Sequence, residues 1–125
     1  MKKIYYNKLI RDEIPSKIKE NKGEYEVRSL SLDEFEQELL KKVMEEASGL
    51  LKTTTREELL DELVDITIVL EEIKKTKKIE EGEFQEARRR NMVRKGGFFK
   101  KLFLVWSSDT SYKTNEISYP KKVSC

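Results

Sequence analysis

The chain has 125 residues, of which 40% are charged and 37% hydrophobic, with a formal net charge of +2. That length suits one domain with a modest core, and the balanced charge argues against a nucleic-acid binder. Histidine is absent, which excludes histidine acid–base chemistry, a Ser-His-Asp triad and histidine-ligated zinc, so any metal site must be built from oxygens.

Residues 3–10 (Lys-Ile-Tyr-Tyr-Asn-Lys-Leu-Ile) are short, aromatic and β-branched, and read as an extended segment or a loop on the body. Pro15 fits the first turn of a short helix that runs through Ile18 and Lys19. Asn21-Lys22-Gly23 ends it, with Gly23 expected as the C-cap. Glu24 to Leu30 alternates loosely and reads as extended. Ser31 and Glu34 have the spacing of a capping box. Phe35, Leu39, Leu40, Val43, Met44, Ala47, Leu50 and Leu51 then recur at helical spacing, which predicts a helix over about 32–52.

Thr53-Thr54-Thr55 breaks this helix, because threonine favours caps over helix interiors. Thr55 and Glu58 form a second capping box. Leu59, Leu60, Leu63, Ile66, Val69, Leu70 and Ile73 predict a second long helix over about 56–76. The apolar faces of both long helices read as bundle core. Lys74-Lys75-Thr76-Lys77-Lys78 suits the negative end of the second helix dipole. Glu80 to Lys95 is helix-compatible, strongly charged, and closes at Gly96-Gly97. Phe98 to Trp106 reads as a strand or an extended arm. Residues 1–106 are expected to form the domain, and 107–125 a polar tail that is either disordered or docked on a partner subunit. The expected fold is mainly α, an antiparallel helical bundle with short extended arms at both ends.

Cys125 is the only cysteine, so no intrachain disulfide forms and the chain suits a reducing compartment. The N-terminus lacks the apolar run of a signal peptide, and no stretch reaches the roughly 20 apolar residues of a membrane span. A cytoplasmic location is expected, without membrane partners. The small apolar fraction predicts that the chain pairs with copies of itself, as a dimer or tetramer.

Glu62 and Asp65 carry the most chemistry. Three apart on a helix, they share a face, and like charges that close are costly without a cation between them. Glu45-Glu46 on the preceding helix adds a second acidic pair. Together they outline a clamp for Mg²⁺, which prefers oxygen ligands, with Mn²⁺ as an alternative. The competing reading is a solvated acidic face.

Tyr6-Asn7-Lys8-Leu9-Ile10-Arg11-Asp12-Glu13-Ile14-Pro15 resembles the opening of a family of small proteins. These are the phosphoribosyl-ATP pyrophosphohydrolase-like members of the all-α, MazG-like nucleoside triphosphate pyrophosphohydrolases. Glu45-Glu46, Glu62-x-x-Asp65 and Arg94-Lys95-Gly96-Gly97-Phe98 follow in the family's order. The resemblance spans about residues 4–106. It implies metal ligation by Glu46, residue 49, Glu62 and Asp65, but residue 49 here is Gly49. It implies Mg²⁺-dependent hydrolysis of a nucleoside triphosphate, or a related phosphoribosyl nucleotide, to a monophosphate and pyrophosphate. Glu45 is the candidate catalytic base for the attacking water, or else a residue that orients the metal ligands. Lys8, Arg11, Asn91, Arg94 and Lys95, with Arg90 beside them, are the candidates to grip the triphosphate. The alternative is a catalytically degenerate nucleotide-binding or regulatory module, weakened at Gly49. A helical protein–protein interaction module with merely solvated acids is a third reading.

Overall fold

A computed structural model describes residues 2–110. It contains four helices: α1 (Ile14–Glu20), α2 (Leu32–Leu51), α3 (Arg56–Thr76) and α4 (Glu81–Lys95). No strand occurs among the described residues, so the chain is mainly α as the spacing predicts. Glu24 to Leu30 and Phe98 to Trp106 contain no strand, which leaves the second of these as an arm. Residues 111–125, most of the expected tail, lie outside the described residues.

Both long helices begin where their caps dictate. The Ser31 hydroxyl accepts from the Glu34 backbone N–H, and the Glu34 carboxylate accepts from the Ser31 N–H in return. Thr55 and Glu58 repeat the arrangement at the start of α3. Each box satisfies two backbone donors that a helix start would otherwise leave unpaired. The ends of α1 and α3 are closed by lysines rather than glycine. Lys22 and Lys78 hold left-handed φ of 62° and 57°. The following N–H groups then turn back, Gly23 to Ile18 O at 2.8 Å and Ile79 to Lys74 O at 2.8 Å. Gly23 is therefore not the cap that the sequence suggests. Asn21 caps α1, Lys22 takes the left-handed turn, and a Cβ on Gly23 would meet Ile18 Cγ2 at 2.8 Å.

The packed unit is the pair α2 and α3. Glu36 of α2 pairs with Lys77 of α3 at 2.8 Å. Gly49, further along α2, faces Glu62, early in α3. Those pairings run in opposite directions along the two helices, so the pair is antiparallel. Leu39 and Val69 are its buried apolar residues. The reading of both apolar faces as core is thus corrected for a large part of them. Leu40, Met44, Leu51, Leu59, Leu63 and Leu70 are exposed. One helix partner covers only one stripe, and these helices carry apolar residues over a wider arc.

Helix α4 stands apart. No residue of it is buried. Its first turn is tethered to the end of α3 by Lys74, which lies 3.3 Å from Glu81 and 3.9 Å above the Phe84 ring. Gly96, with φ 74°, ends the helix as the sequence predicts, its N–H donating to Met92 O.

Candidate metal centre

The antiparallel register places the second half of α2 beside the first half of α3. Glu46 comes from α2, and Glu62 and Asp65 from α3, and one carboxylate oxygen of each lies within 4.8 Å of the others. Helical spacing explains the α3 pair, and the capped four-residue turn at 52–55 sets the register that brings Glu46 to them. Exposed acids often cluster without a ligand. These three, however, are each partly covered, and Glu46 retains only 15% of its side-chain exposure.

Position 49 gives the centre its particular shape. A Cβ built on Gly49 would lie 2.8 Å from Glu62 Oε2 and 3.0 Å from its Cδ. The Glu62 carboxylate therefore lies against the bare backbone of α2, in the space a side chain at 49 would take. Gly49 thus leaves room for one of the three carboxylates.

The surrounding cations sort the four acids into two kinds. Lys8 Nζ donates to Glu45 Oε1 at 2.6 Å, and Lys42 Nζ donates to Glu45 Oε2 at 2.7 Å. Both oxygens of Glu45 are thereby engaged. Burial alone would push its carboxyl up, but the two lysines together outweigh that and hold it below the usual range. The same contact holds the Lys8 ammonium above its usual value. Through these two contacts Glu45 ties the N-terminal segment to α2.

Glu62 and Asp65 go the other way. Burial raises Glu62, and the charges of Glu46 and Asp65 add to it. Burial likewise raises Asp65, with Glu46 and Asp61 adding and Arg11 and Lys42 partly offsetting. Arg11 sits 3.7 Å from Asp65, and Lys42 3.5 Å from Glu46. Counting Glu45, Glu46, Asp61, Glu62 and Asp65 against Lys8, Arg11 and Lys42 leaves two negative charges uncompensated. A donor set of three carboxylates, two of them disfavoured as anions, fits a hard divalent cation.

Lys42 escaped the sequence reading. It is buried to 8% exposure and touches two of the acids. Its signal was present: it lies three and four residues before Glu45 and Glu46, the spacing of helix neighbours. Beside it, Tyr6 to Leu9 and the α2 residues Glu38, Lys41, Lys42 and Glu45 enclose a groove of about 310 Å³. Of the N-terminal candidates, Arg11 reaches Asp65 of the centre, and Lys8 reaches Glu45 beside it. The α4 candidates Asn91, Arg94 and Lys95 do not: all three are exposed, and α4 does not pack on the α2–α3 pair.

Comparison with protein families, with curated proteins and with solved structures found no match. Among the described residues, no helix is long and apolar enough to cross a membrane.

Proposed function

We propose that this chain is a cytoplasmic, homo-oligomeric hydrolase that cleaves a nucleoside triphosphate, or a related phosphoribosyl nucleotide, to a monophosphate and pyrophosphate with Mg²⁺ or Mn²⁺. The observation that carries this reading is the convergence of Glu46, Glu62 and Asp65 from two helices. These three residues would hold the cation. Bound there, it would neutralise phosphate charge and lower the pKa of an attacking water. Three protein ligands suffice for magnesium, which commonly keeps several waters. Lys8 and Arg11 lie at the edge of the centre, where cations can meet phosphate oxygens. Lys41 and Lys42 add positive charge along the adjoining groove.

Release of pyrophosphate from a panel of triphosphates, with Mg²⁺ and with Mn²⁺, tests the reading. Activity is expected in the wild type and is lost in Asp65→Asn. A wild type that releases none from any substrate overturns it. The second reading, a nucleotide-binding module without turnover, is favoured by Gly49 and by the distance of Asn91, Arg94 and Lys95 from the cluster. It predicts saturable Mn²⁺ and nucleotide binding by calorimetry with no pyrophosphate formed.

A further inference from the structure

The face that α2 turns to α3 is apolar for only part of its length. Leu39, Lys42, Glu46 and Gly49 follow one another at spacings of three, four and three, so they share one side of the helix. Leu39 is buried in the helix pair and Gly49 meets Glu62, which identifies this as the side facing α3. Glu62, Asp65 and Val69 form the answering stripe on α3, at spacings of three and four. The contact is therefore apolar at Leu39 and Val69 and ionic beyond them. Lys42 is the one cation on either stripe, and the one buried charged residue among the described residues.

A lysine is rarely buried this far unless its ammonium is paired. Lys42 Nζ donates to Glu45 Oε2 at 2.7 Å and lies 3.5 Å from Glu46 Oε1. Its charge is felt on the other helix as well. Burial, Glu46 and Asp61 raise the Asp65 carboxyl, and Lys42 is one of the two cations that offset this. Lys8 and Arg11 keep 41% and 52% of their side-chain exposure, so solvent screens them more than it screens Lys42. The two contacts of Lys42 are also unequal. The short one goes to Glu45, which lies outside the cluster of three, and the long one goes to Glu46, which belongs to it. Lys42 can give up Glu46 and remain paired. On the two stripes, Glu46, Glu62 and Asp65 against Lys42 leave two negative charges, the charge of one divalent cation.

We propose that Lys42 is a positioning residue that acts as an internal counter-ion: it holds Glu46 in the helix contact, yields it to a divalent cation, and limits how tightly that cation is held. Two cations that share one carboxylate repel each other, so the ammonium that steadies the acids also opposes the metal. This inference rests on the metal reading of the centre and not on hydrolysis.

Calorimetry with Mn²⁺ on the full chain, without nucleotide, tests it in the wild type and in Lys42→Met, Lys42→Gln and Lys42→Arg. Thermal melts without metal accompany each titration. Methionine fills the space of the lysine stem without its charge. Glutamine keeps a donor toward Glu45, for the case in which the methionine variant does not fold. Both neutral variants are expected to bind Mn²⁺ about 10-fold or more tightly than the wild type, the scale of removing one charge about 6 Å from a divalent cation even in water. Both are expected to melt lower without metal, because Glu46 loses its partner. Lys42→Arg, which restores the charge, is expected to stay near the wild type on both counts. A merely structural lysine would lower the melting temperature without raising affinity. Neutral variants that bind Mn²⁺ no more tightly than a wild type that binds it therefore overturn the proposal and leave the metal centre standing. Absence of Mn²⁺ binding in every protein overturns both. Binding by a neutral variant but not by the wild type supports Lys42 as the opposing cation and counts against the proposed function. Pyrophosphate release decides the hydrolase reading separately.

Discussion

Helices α3 and α4 are both legible as helices, but only one of them positions anything. Helix α3 starts at a complete capping box, buries Val69 against α2, and delivers Glu62 and Asp65 to a third carboxylate. Helix α4 has no side-chain cap at Glu80 and no buried residue. It is held by local pairs, such as Glu86 with Arg89 and Arg90, and Glu81 with Gln85. Pairs of that kind support a helix by a few tenths of a kcal/mol each and say nothing about where it goes. A continuous apolar stripe does both. The difference between the two helices is therefore a difference in what a residue on each can be relied upon to do.

Truncation sharpens this contrast most strongly. Leu39 is 3% exposed and Val93 of α4 is 82% exposed. Leu39→Ala is expected to cost about 2–5 kcal/mol, the range for a buried leucine. Val93→Ala is expected to change stability by less than about 0.5 kcal/mol. Chemical denaturation measures both. Comparable losses at the two positions would show that α4 is packed as firmly as α2, and would break the comparison.

The same contrast explains how much of the molecule the sequence discloses. Helix limits at 32–51 and 56–76 are written in two capping boxes and in apolar spacing, both local properties. The acidic pairs Glu45-Glu46 and Glu62-x-x-Asp65 are legible from helical spacing, whereas the choice of Glu46 over Glu45 is what the family resemblance implies. Lys22 in place of Gly23 at the left-handed turn was not legible, since a lysine there gives no local signal and pays a conformational cost of roughly 1 kcal/mol. Nor was the engagement of Glu45, which depends on Lys8 arriving from a segment 37 positions away. The exposure of much of the apolar faces of α2 and α3 was hidden for a related reason. Spacing reveals that a face is apolar, not what covers it.

Gly49 supplies the next largest effect, and one that separates stability from binding. Alanine in a helix interior is favoured over glycine by up to about 1 kcal/mol, so Gly49→Ala should raise the melting temperature slightly. Its Cβ would also press on Glu62 Oε2, and the carboxylate must swing away from the place it now holds. Displacing a carboxylate in this manner is expected to weaken Mn²⁺ binding about 10–100-fold, on the scale of losing a group that orients a ligand. Calorimetry with Mn²⁺ and a thermal melt read the two effects apart. Unchanged affinity would mean that the close approach of Glu62 to α2 has no part in the centre. Gly49→Glu is expected to compete with Glu62 for the same space, not simply to add a fourth ligand.

The smallest effect concerns protons, and its sign is specific. Glu62 and Asp65 have folded values above their ordinary 4.5 and 3.8. Groups raised by folding contribute stability that is fully present below those ordinary values and is lost as pH rises through the folded ones. At neutral pH without a divalent cation, both carboxylates therefore weigh against the fold. Glu45, Glu34 and Glu58, held low by their partners, act in the opposite direction and lose their contribution as pH falls. A single wild-type profile mixes the two groups, so the informative quantity is the wild type minus Glu62→Gln. That difference is expected to move against the wild type as pH climbs above 4.5, with the variant melting modestly higher at pH 7. Added Mg²⁺ or Mn²⁺ should reverse the order, because a cation compensates carboxylates and finds fewer of them in the variant. A variant that melts lower than the wild type at pH 7 without metal would mean that Glu62 is a stabilising surface acid. The contrast between a helix that builds a centre and one that merely forms would then lose its main support.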